Sequence, residues 1–268
     1  MIDAHCHLLD LVPKFTFDVI KSRAVSAGIR KIITCSCSIS DWKESERLFG
    51  DDQFVSPQFG VHPWWSGEAR PDDWLDNLRN LLTAHPKAGV GEIGIDKGKK
   101  GTVPMPVQID TFKAQLRLAQ EMDRTSTIHC VNAYGTLIDI LRSEHSFRSP
   151  VVIHSFSGSG DQVRELMKLS PNIYLSVSGR CPKTDVIPFI PLERMLLETD
   201  APFMPITSQK THVGTTEMIP KLDDQTNDSS QLLLVADRVA TALGKPVEEV
   251  QSRTLANTMR AFQIESLD

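Results

Sequence analysis

Eight short segments rich in β-branched and other apolar residues recur along this chain, and they mostly alternate with segments of helical periodicity. Parallel strands need a long crossover connection, so this alternation is typical of a parallel sheet covered by helices. Eight strands of this kind predict a TIM (β/α)8 barrel, an α/β fold in which the carboxyl ends of all strands meet at one face. The length of 268 residues fits one barrel domain over residues 1–268.

The predicted elements cover most of the chain, apart from a polar, turn-rich segment at 205–230 that we interpret as a long loop. Strands are predicted at residues 2–7, 31–35, 54–60, 88–91, 126–128, 151–153, 172–176 and 195–197. Helices are predicted at residues 15–27, 40–49, 71–85, 106–122, 134–143, 163–169, 231–243 and 247–262.

Six side chains that can bind a metal fall at the carboxyl ends of these predicted strands. His5 and His7 stand at positions i and i+2 and therefore face the same side of the first strand. A mixed set of imidazoles and carboxylates suits divalent ions such as Zn, Mn, Ni or Mg. The six candidate metal ligands are His5, His7, Glu92, His129, His154 and Asp200.

Glu92 is the candidate bridge between two metal ions, because its two oxygens can reach ions that lie about 3.5–4 Å apart. Such a pair of cations polarises a phosphoryl oxygen and lowers the pKa of a bound water. Asp200 could also hold and deprotonate that water. Each ligand taken singly could instead be a buried polar side chain with a hydrogen-bond partner, but their shared position favours two divalent metals per chain. His5, His7 and Asp200 would complete one metal, and His129 with His154 the other.

The composition limits the partners of the chain. Its formal net charge is −5, so no overall basic field attracts nucleic acid, although local basic patches remain open. The five cysteines include Cys35 and Cys37, whose spacing does not fit a zinc or redox motif, and they indicate reduced thiols. We therefore expect a cytoplasmic protein, or alternatively a nuclear one. No signal-peptide pattern, membrane span or obligate protein partner is predicted.

Several motifs, in order, resemble those of TatD-type metal-dependent deoxyribonucleases, within the broad class of amidohydrolase-like barrels. They cover residues 2–202, and the C-terminal part of the chain matches the family more loosely. The matching motifs are residues 3–8 (DAHCHL), 60–63 (GVHP), 91–96 (GEIGID), 108–119 (QIDTFKAQLRLA), 128–129 (IH), 154–158 (HSFSG) and 197–202 (LETDAP).

The resemblance implies a hydrolase that cleaves phosphodiester bonds of DNA, removing 3′ nucleotides or nicking damaged strands, with the six residues above as metal ligands. It places His62 near the scissile phosphate, although a histidine that only fixes the turn before Pro63 is an equal alternative. The alternatives to a nuclease are a related barrel hydrolase acting on a small ester or amide, cleavage of aminoacyl-tRNA, and a non-catalytic scaffold. A small-molecule hydrolase would often bridge its metals with a carbamylated lysine, which the predicted strand ends do not offer.

The chain departs from the family pattern in three places. Lys97-Gly98-Lys99-Lys100 replaces a segment in which aromatic residues are common, and Cys130-Val131-Asn132 stands where an arginine is frequent. Asn227-Asp228-Ser229 replaces the usual Asn-Glu-Pro.

The lysine segment and two tryptophans are the candidate substrate contacts. Lys97, Lys99 and Lys100 follow the fourth strand, so they would lie beside the metals and hold phosphates, unless they form only a solvated turn. Trp64 and Trp65 follow the third strand and could stack on bases or pack beneath their loop.

Overall fold

Eight parallel strands form one sheet in the order β1 to β8, and each strand is hydrogen-bonded to the next one in the chain. The computed structural model describes residues 1–69, 73–98, 103–144, 147–179, 184–205 and 226–267. The predicted (β/α)8 barrel is confirmed. The strands are β1 (Ile2–Cys6), β2 (Lys31–Cys35), β3 (Val55–Phe59), β4 (Gly89–Asp96), β5 (Ser126–Val131), β6 (Val151–Ile153), β7 (Ile173–Val177) and β8 (Met195–Leu197).

Helices surround the barrel and cover the strands with their apolar faces. On the longest described helix, the predicted face is confirmed: Phe112, Leu116 and Ala119 are buried, and Ile109 packs against the core. No helix among the described residues is long and apolar enough to cross a bilayer. The α-helices are α1 (Leu8–Leu11), α2 (Phe17–Ser26), α3 (Ile39–Phe49), α4 (Trp74–Ala84), α5 (Met105–Glu121), α6 (Tyr134–Ser143), α7 (Gly160–Leu169), α8 (Leu232–Leu243) and α9 (Val247–Ala261).

The barrel closes between β1 and the chain just after β8. The Asp200 amide donates to the His5 carbonyl at 3.0 Å, and the His7 amide donates to the Ala201 carbonyl at 2.6 Å. Deeper in the seam, the buried Asp3 carboxylate accepts hydrogen bonds from the Thr199 amide at 2.9 Å and the Thr199 hydroxyl at 2.6 Å. The seam therefore fixes the first-strand histidines against the loop that carries Asp200.

Two strands are longer than the sequence predicts. β4 continues through Asp96, and β5 continues to Val131, so Glu92 and His129 lie inside strands and not just beyond them. The pairing between these strands is irregular from Val90 to Ile93, which is typical of a β-bulge. The bulge sits at the candidate bridging residue, where a bulge can re-aim a side chain.

Part of the predicted long loop and of the lysine segment lies outside the described residues. The structure describes 226–230 of the loop, which ends in a short 3-10 helix at Ser229–Gln231. Lys97 and Gly98 are described, whereas Lys99 and Lys100 lie outside the described residues.

Candidate metal centre

The six predicted ligands converge at the carboxyl end of the barrel. His5, His7, Glu92, His154 and Asp200 are buried, and the side chain of His129 is 12% exposed. The strands supply them because parallel strands all end at this face, and alternate positions of each strand point inward.

Four atoms form the group that we call the first donor group: Nε2 of His5, Nε2 of His7, Oδ1 of Asp200 and Oε2 of Glu92. The two Nε2 atoms are 3.1 Å apart. Glu92 Oε2 lies 3.6 Å from His5 Nε2 and 3.3 Å from His7 Nε2, and Asp200 Oδ1 lies 3.6 and 3.5 Å from the same atoms. Ligands about 2.1 Å from a tetrahedral ion are about 3.4 Å apart, so this group fits one divalent metal.

Three atoms on the other side of Glu92 form the second donor group: Oε1 of Glu92, Nδ1 of His129 and Nε2 of His154. The carboxylate oxygen lies 2.7 Å from His129 Nδ1 and 2.8 Å from His154 Nε2. The two ring nitrogens are 3.3 Å apart. Each Glu92 oxygen therefore faces its own set of nitrogen donors, which is the arrangement of a bridging carboxylate.

Two carboxylates that the sequence analysis did not single out stand behind the second donor group. Asp96 Oδ2 lies 3.2 Å from His129 Nε2, and Glu198 Oε1 lies 3.5 Å from His154 Nδ1. Such outer carboxylates fix the orientation of a ligating imidazole and the nitrogen it presents. The sequence did contain a signal for Asp96, because it falls four residues after Glu92, an even spacing along a strand. Glu198 lies beyond the end of β8, where strand alternation gives no such signal.

The charges of Glu92 and His5 already suit a cation. Burial would raise the pKa of Glu92, but His154 and His62 hold it well below its usual range, so the carboxylate is ionised. Burial lowers the pKa of His5 well below its ordinary value, with a further contribution from His154, so its ring is neutral and offers a lone pair. Burial would lower the pKa values of His7, His129 and His154, but their acidic neighbours raise them, so a metal would displace protons from these three rings. The residues present therefore fit divalent metals.

His62 lies at the edge of the second donor group, with its Nε2 atom 3.5 Å from Glu92 Oε1. Its Nδ1 accepts a hydrogen bond of 3.1 Å from the Trp64 amide, which is the turn-fixing contact. The Trp64 indole donates to Asp96 Oδ2 at 2.7 Å, and Trp65 contacts the His62 ring edge-on. Both tryptophans are half-buried beside the centre, so they pack in the loop and still border the site.

Two buried glutamines on α5 hold the ends of the strands that carry site residues, and sequence reasoning missed this role. Gln108 Oε1 accepts from the Asp96 amide at 2.8 Å. Gln115 Oε1 accepts from the Val61 amide at 2.7 Å, and its Nε2 donates to the Val61 carbonyl at 3.1 Å. Both glutamines belong to the motif at 108–119. The helical pattern alone predicts that polar residues of this motif are exposed to solvent, whereas both side chains are buried.

The variant segment at 227–229 also supports the site. The Asn227 amide group donates to the carbonyls of Thr199 and Phe203, each at 2.7 Å, on both sides of Asp200. Asp228 pairs with Arg23 of α2 at 2.8 Å. The departure from Asn-Glu-Pro therefore leaves an asparagine that clamps the Asp200 loop.

Comparison with known proteins identifies the relatives of this chain. The model of the TatD related DNase family matches residues 2–263. The chain is 26% identical over 255 residues to the 3′-5′ ssDNA/RNA exonuclease TatD of Citrobacter rodentium, with 92% of each protein covered. It is 30% identical over 212 residues to deoxyribonuclease Tat-D of Schizosaccharomyces pombe, covering 74% of this chain and 67% of that protein.

A solved structure extends the likeness to three dimensions. The crystal structure of a TatD homologue from Escherichia coli K12 matches with a TM-score of 0.83 and 27% identity, and 98% of each chain is covered. The residues that match the family model, 2–263, include every candidate ligand. The chain belongs to the family of TatD related DNases.

Proposed function

We propose that this protein is a metal-dependent hydrolase that cleaves phosphodiester bonds of DNA and uses two divalent ions per chain. The observation that carries the proposal is Glu92, whose two oxygens face two separate sets of ring nitrogens. Relatives of the chain are named as a 3′-5′ ssDNA/RNA exonuclease and a deoxyribonuclease, which supports a nucleic acid as the substrate. Zn, Mn, Ni and Mg all suit the mixed donors.

The chain's own side chains divide the work of hydrolysis. Bound divalent metals supply positive charge that polarises the phosphoryl oxygen and makes a bound water acidic. Asp200 reaches the first donor group through Oδ1 and is placed to orient the attacking water and accept its proton. His62 borders the second donor group and is placed to contact a phosphate oxygen. Asp96 holds the ring of His129 in orientation, and Glu198 places a negative charge 3.5 Å from Nδ1 of His154.

The reaction is tested with end-labelled single-stranded and double-stranded DNA across a series of added Mg, Mn, Ni and Zn. We expect metal-dependent cleavage, with stepwise loss of 3′ nucleotides as the product of exonuclease action and internal cuts as that of nicking. Glu92→Gln removes the bridge and should abolish activity, whereas Glu165→Gln, on the exposed face of α7, should not.

Two outcomes would contradict the proposal. Purified protein that carries both metals but cleaves neither form of DNA would exclude a deoxyribonuclease. Hydrolysis of a small ester, an amide or an aminoacyl-tRNA by such a preparation would then assign the centre to one of the related reactions.

A further inference from the structure

Two cysteines, Cys35 and Cys37, stand behind the histidines of the first donor group. Cys35 ends β2, and Cys37 follows at i+2, so the pair repeats the spacing of His5 and His7 on the neighbouring strand. Cys35 Sγ lies 3.4 Å from His5 Nδ1, and Cys37 Sγ lies 3.5 Å from His7 Nδ1. Each imidazole therefore spans the space between a sulfur atom and the donor group.

The contacts have a defined direction. Both histidines turn Nε2 toward the first donor group, so a metal there requires the ring proton to sit on Nδ1. A buried Nδ1–H needs an acceptor, because leaving it unsatisfied costs about 1–3 kcal/mol. The sulfur atoms of Cys35 and Cys37 are placed to accept hydrogen bonds from these two Nδ1–H groups.

The two donor groups therefore differ in what supports their histidines. His129 and His154 face the carboxylates of Asp96 and Glu198, which add negative charge. His5 and His7 face the two sulfur atoms of Cys35 and Cys37 instead.

We propose that Cys35 and Cys37 are positioning residues of the first donor group, which accept the Nδ1–H of His5 and His7 and so aim both Nε2 atoms at one metal. This inference rests on the metal centre proposed above, and it concerns metal binding and not the identity of the substrate. Direct ligation by sulfur is the competing arrangement, since Cys37, His7 and Glu92 also offer three donor atoms within 4.8 Å of one another.

The first experiment measures metal affinity by equilibrium dialysis with Zn, in the absence of nucleic acid. Cys35→Ala and Cys37→Ala should weaken binding of one of the two metals about 10-fold to 100-fold, the loss typical of an outer-shell partner, and leave the other metal unchanged. Cys35→Ser and Cys37→Ser keep a hydroxyl acceptor and nearly the same volume, so they should restore part of the loss. Cys130→Ala removes a buried thiol from β5 and serves as the matched control with unchanged affinity.

The second readout separates positioning from ligation. In the Zn-loaded protein, each Cys→Ala change should shift the imidazole N–H resonance of its own partner, His5 or His7, and not that of the other. In the Co-loaded protein, no sulfur-to-cobalt charge-transfer band should be present. Such a band, lost in Cys37→Ser, would overturn the proposal in favour of a sulfur ligand.

Wild-type affinity for both metals in the Cys35→Ala/Cys37→Ala double variant would also overturn it. If the alanine variants do not fold, the two serine variants carry the test: each should shift the imidazole N–H resonance of its own histidine partner, and unchanged resonances of His5 and His7 in both would overturn the proposal. A wild-type protein that binds two metals but cleaves no DNA would contradict the proposed function alone, because none of these measurements uses a substrate.

Discussion

Asp200 combines an unusual backbone conformation with its place in the first donor group. Its φ of 56° lies in the left-handed region, which only glycine, asparagine and aspartate adopt with ease. The Asn227 clamp on the flanking carbonyls holds this conformation in place. The residue is therefore fixed by backbone contacts that do not depend on its carboxylate.

Asp200→Asn should separate chemistry from structure, because asparagine tolerates the same backbone conformation. We expect turnover on saturating DNA to fall by about 10²–10⁴-fold, the usual loss on removing a general base, with a much smaller change in substrate affinity. Steady-state kinetics measure turnover and substrate affinity, and metal analysis shows whether the variant keeps its metals. Asp161→Asn, at an exposed position of α7, is the control. Unaltered turnover in Asp200→Asn would remove Asp200 from the mechanism.

Lys97 is the described member of the lysine segment, and it is exposed directly after Asp96 at the metal face. If it contacts phosphate, Lys97→Ala should weaken binding of single-stranded DNA and flatten the slope of log affinity against log salt by about 0.7. Lys87→Ala removes the same charge from an exposed position just before β4, at the opposite end of the barrel. Binding titrations at several salt concentrations in a non-cleaving Glu92→Gln background give both slopes. Equal slopes in the two variants would show that Lys97 only faces water.

At the scale of elements, α5 ties the strand ends into a rigid frame. Gln115 satisfies both the amide and the carbonyl of Val61, next to His62. Gln108 does the same for the amide and the carbonyl of Asp96, whose carboxylate is the outer partner of His129. One helix thus fixes the position of the backbone where β3 and β4 end at the metal face.

Gln115→Met keeps the volume of the side chain but leaves the two Val61 backbone groups unsatisfied. We expect a loss of unfolding free energy of about 2 kcal/mol, in the range for a buried unsatisfied group. Urea titration followed by circular dichroism measures it. Arg117→Ala removes only a surface ion pair from the same helix and should lower the unfolding free energy much less than Gln115→Met. A Gln115 variant as stable as the Arg117 variant would contradict this role.

The sequence predicted the barrel because eight short apolar segments mostly alternate with helical ones. It predicted that six candidate ligands would meet because it placed them near the carboxyl ends of those strands. It placed the end of β4 too early, at residue 91, whereas the strand continues to Asp96. Gly94 is a strand residue with φ 144°, and a Cβ there would collide with the His129 carbonyl of β5. Close backbone approach between strands is a tertiary property that a single sequence does not reveal.

Outer partners escaped prediction for a related reason. Asp96, Glu198 and the two thiols act through contacts between different strands, and their distances depend on the register of neighbouring strands. A pattern within one strand shows which face a residue occupies. It does not show which side chain of the next strand lies opposite.

For the whole molecule, bound metal should act as a cross-link between the start and the end of the barrel. His5 and His7 come from β1, whereas Asp200 follows β8, so the first donor group exists only in the closed barrel. A ligand that binds the folded state alone stabilises it by about 2.7 kcal/mol at one hundred times its dissociation constant.

Removal of metal with a chelator should therefore lower the melting temperature by several degrees, given about 2–4 °C per kcal/mol for a domain near this size. Differential scanning calorimetry of the metal-loaded and chelated protein gives the shift. Glu92→Gln should show little further change on chelation. A wild-type melting temperature that does not respond to the chelator would mean that the centre does not couple to barrel closure.

The seam between β1 and β8 also sets when the protein becomes active during its synthesis. Asp3 and Thr199, which hold the seam, are 196 positions apart in the chain. Because a ribosome delivers the amino-terminal strands first, the histidines of β1 emerge long before β8 and the Asp200 that follows it. Under the proposed mechanism, a nascent fragment that lacks Asp200 has an incomplete first donor group and does not yet cleave nucleic acid.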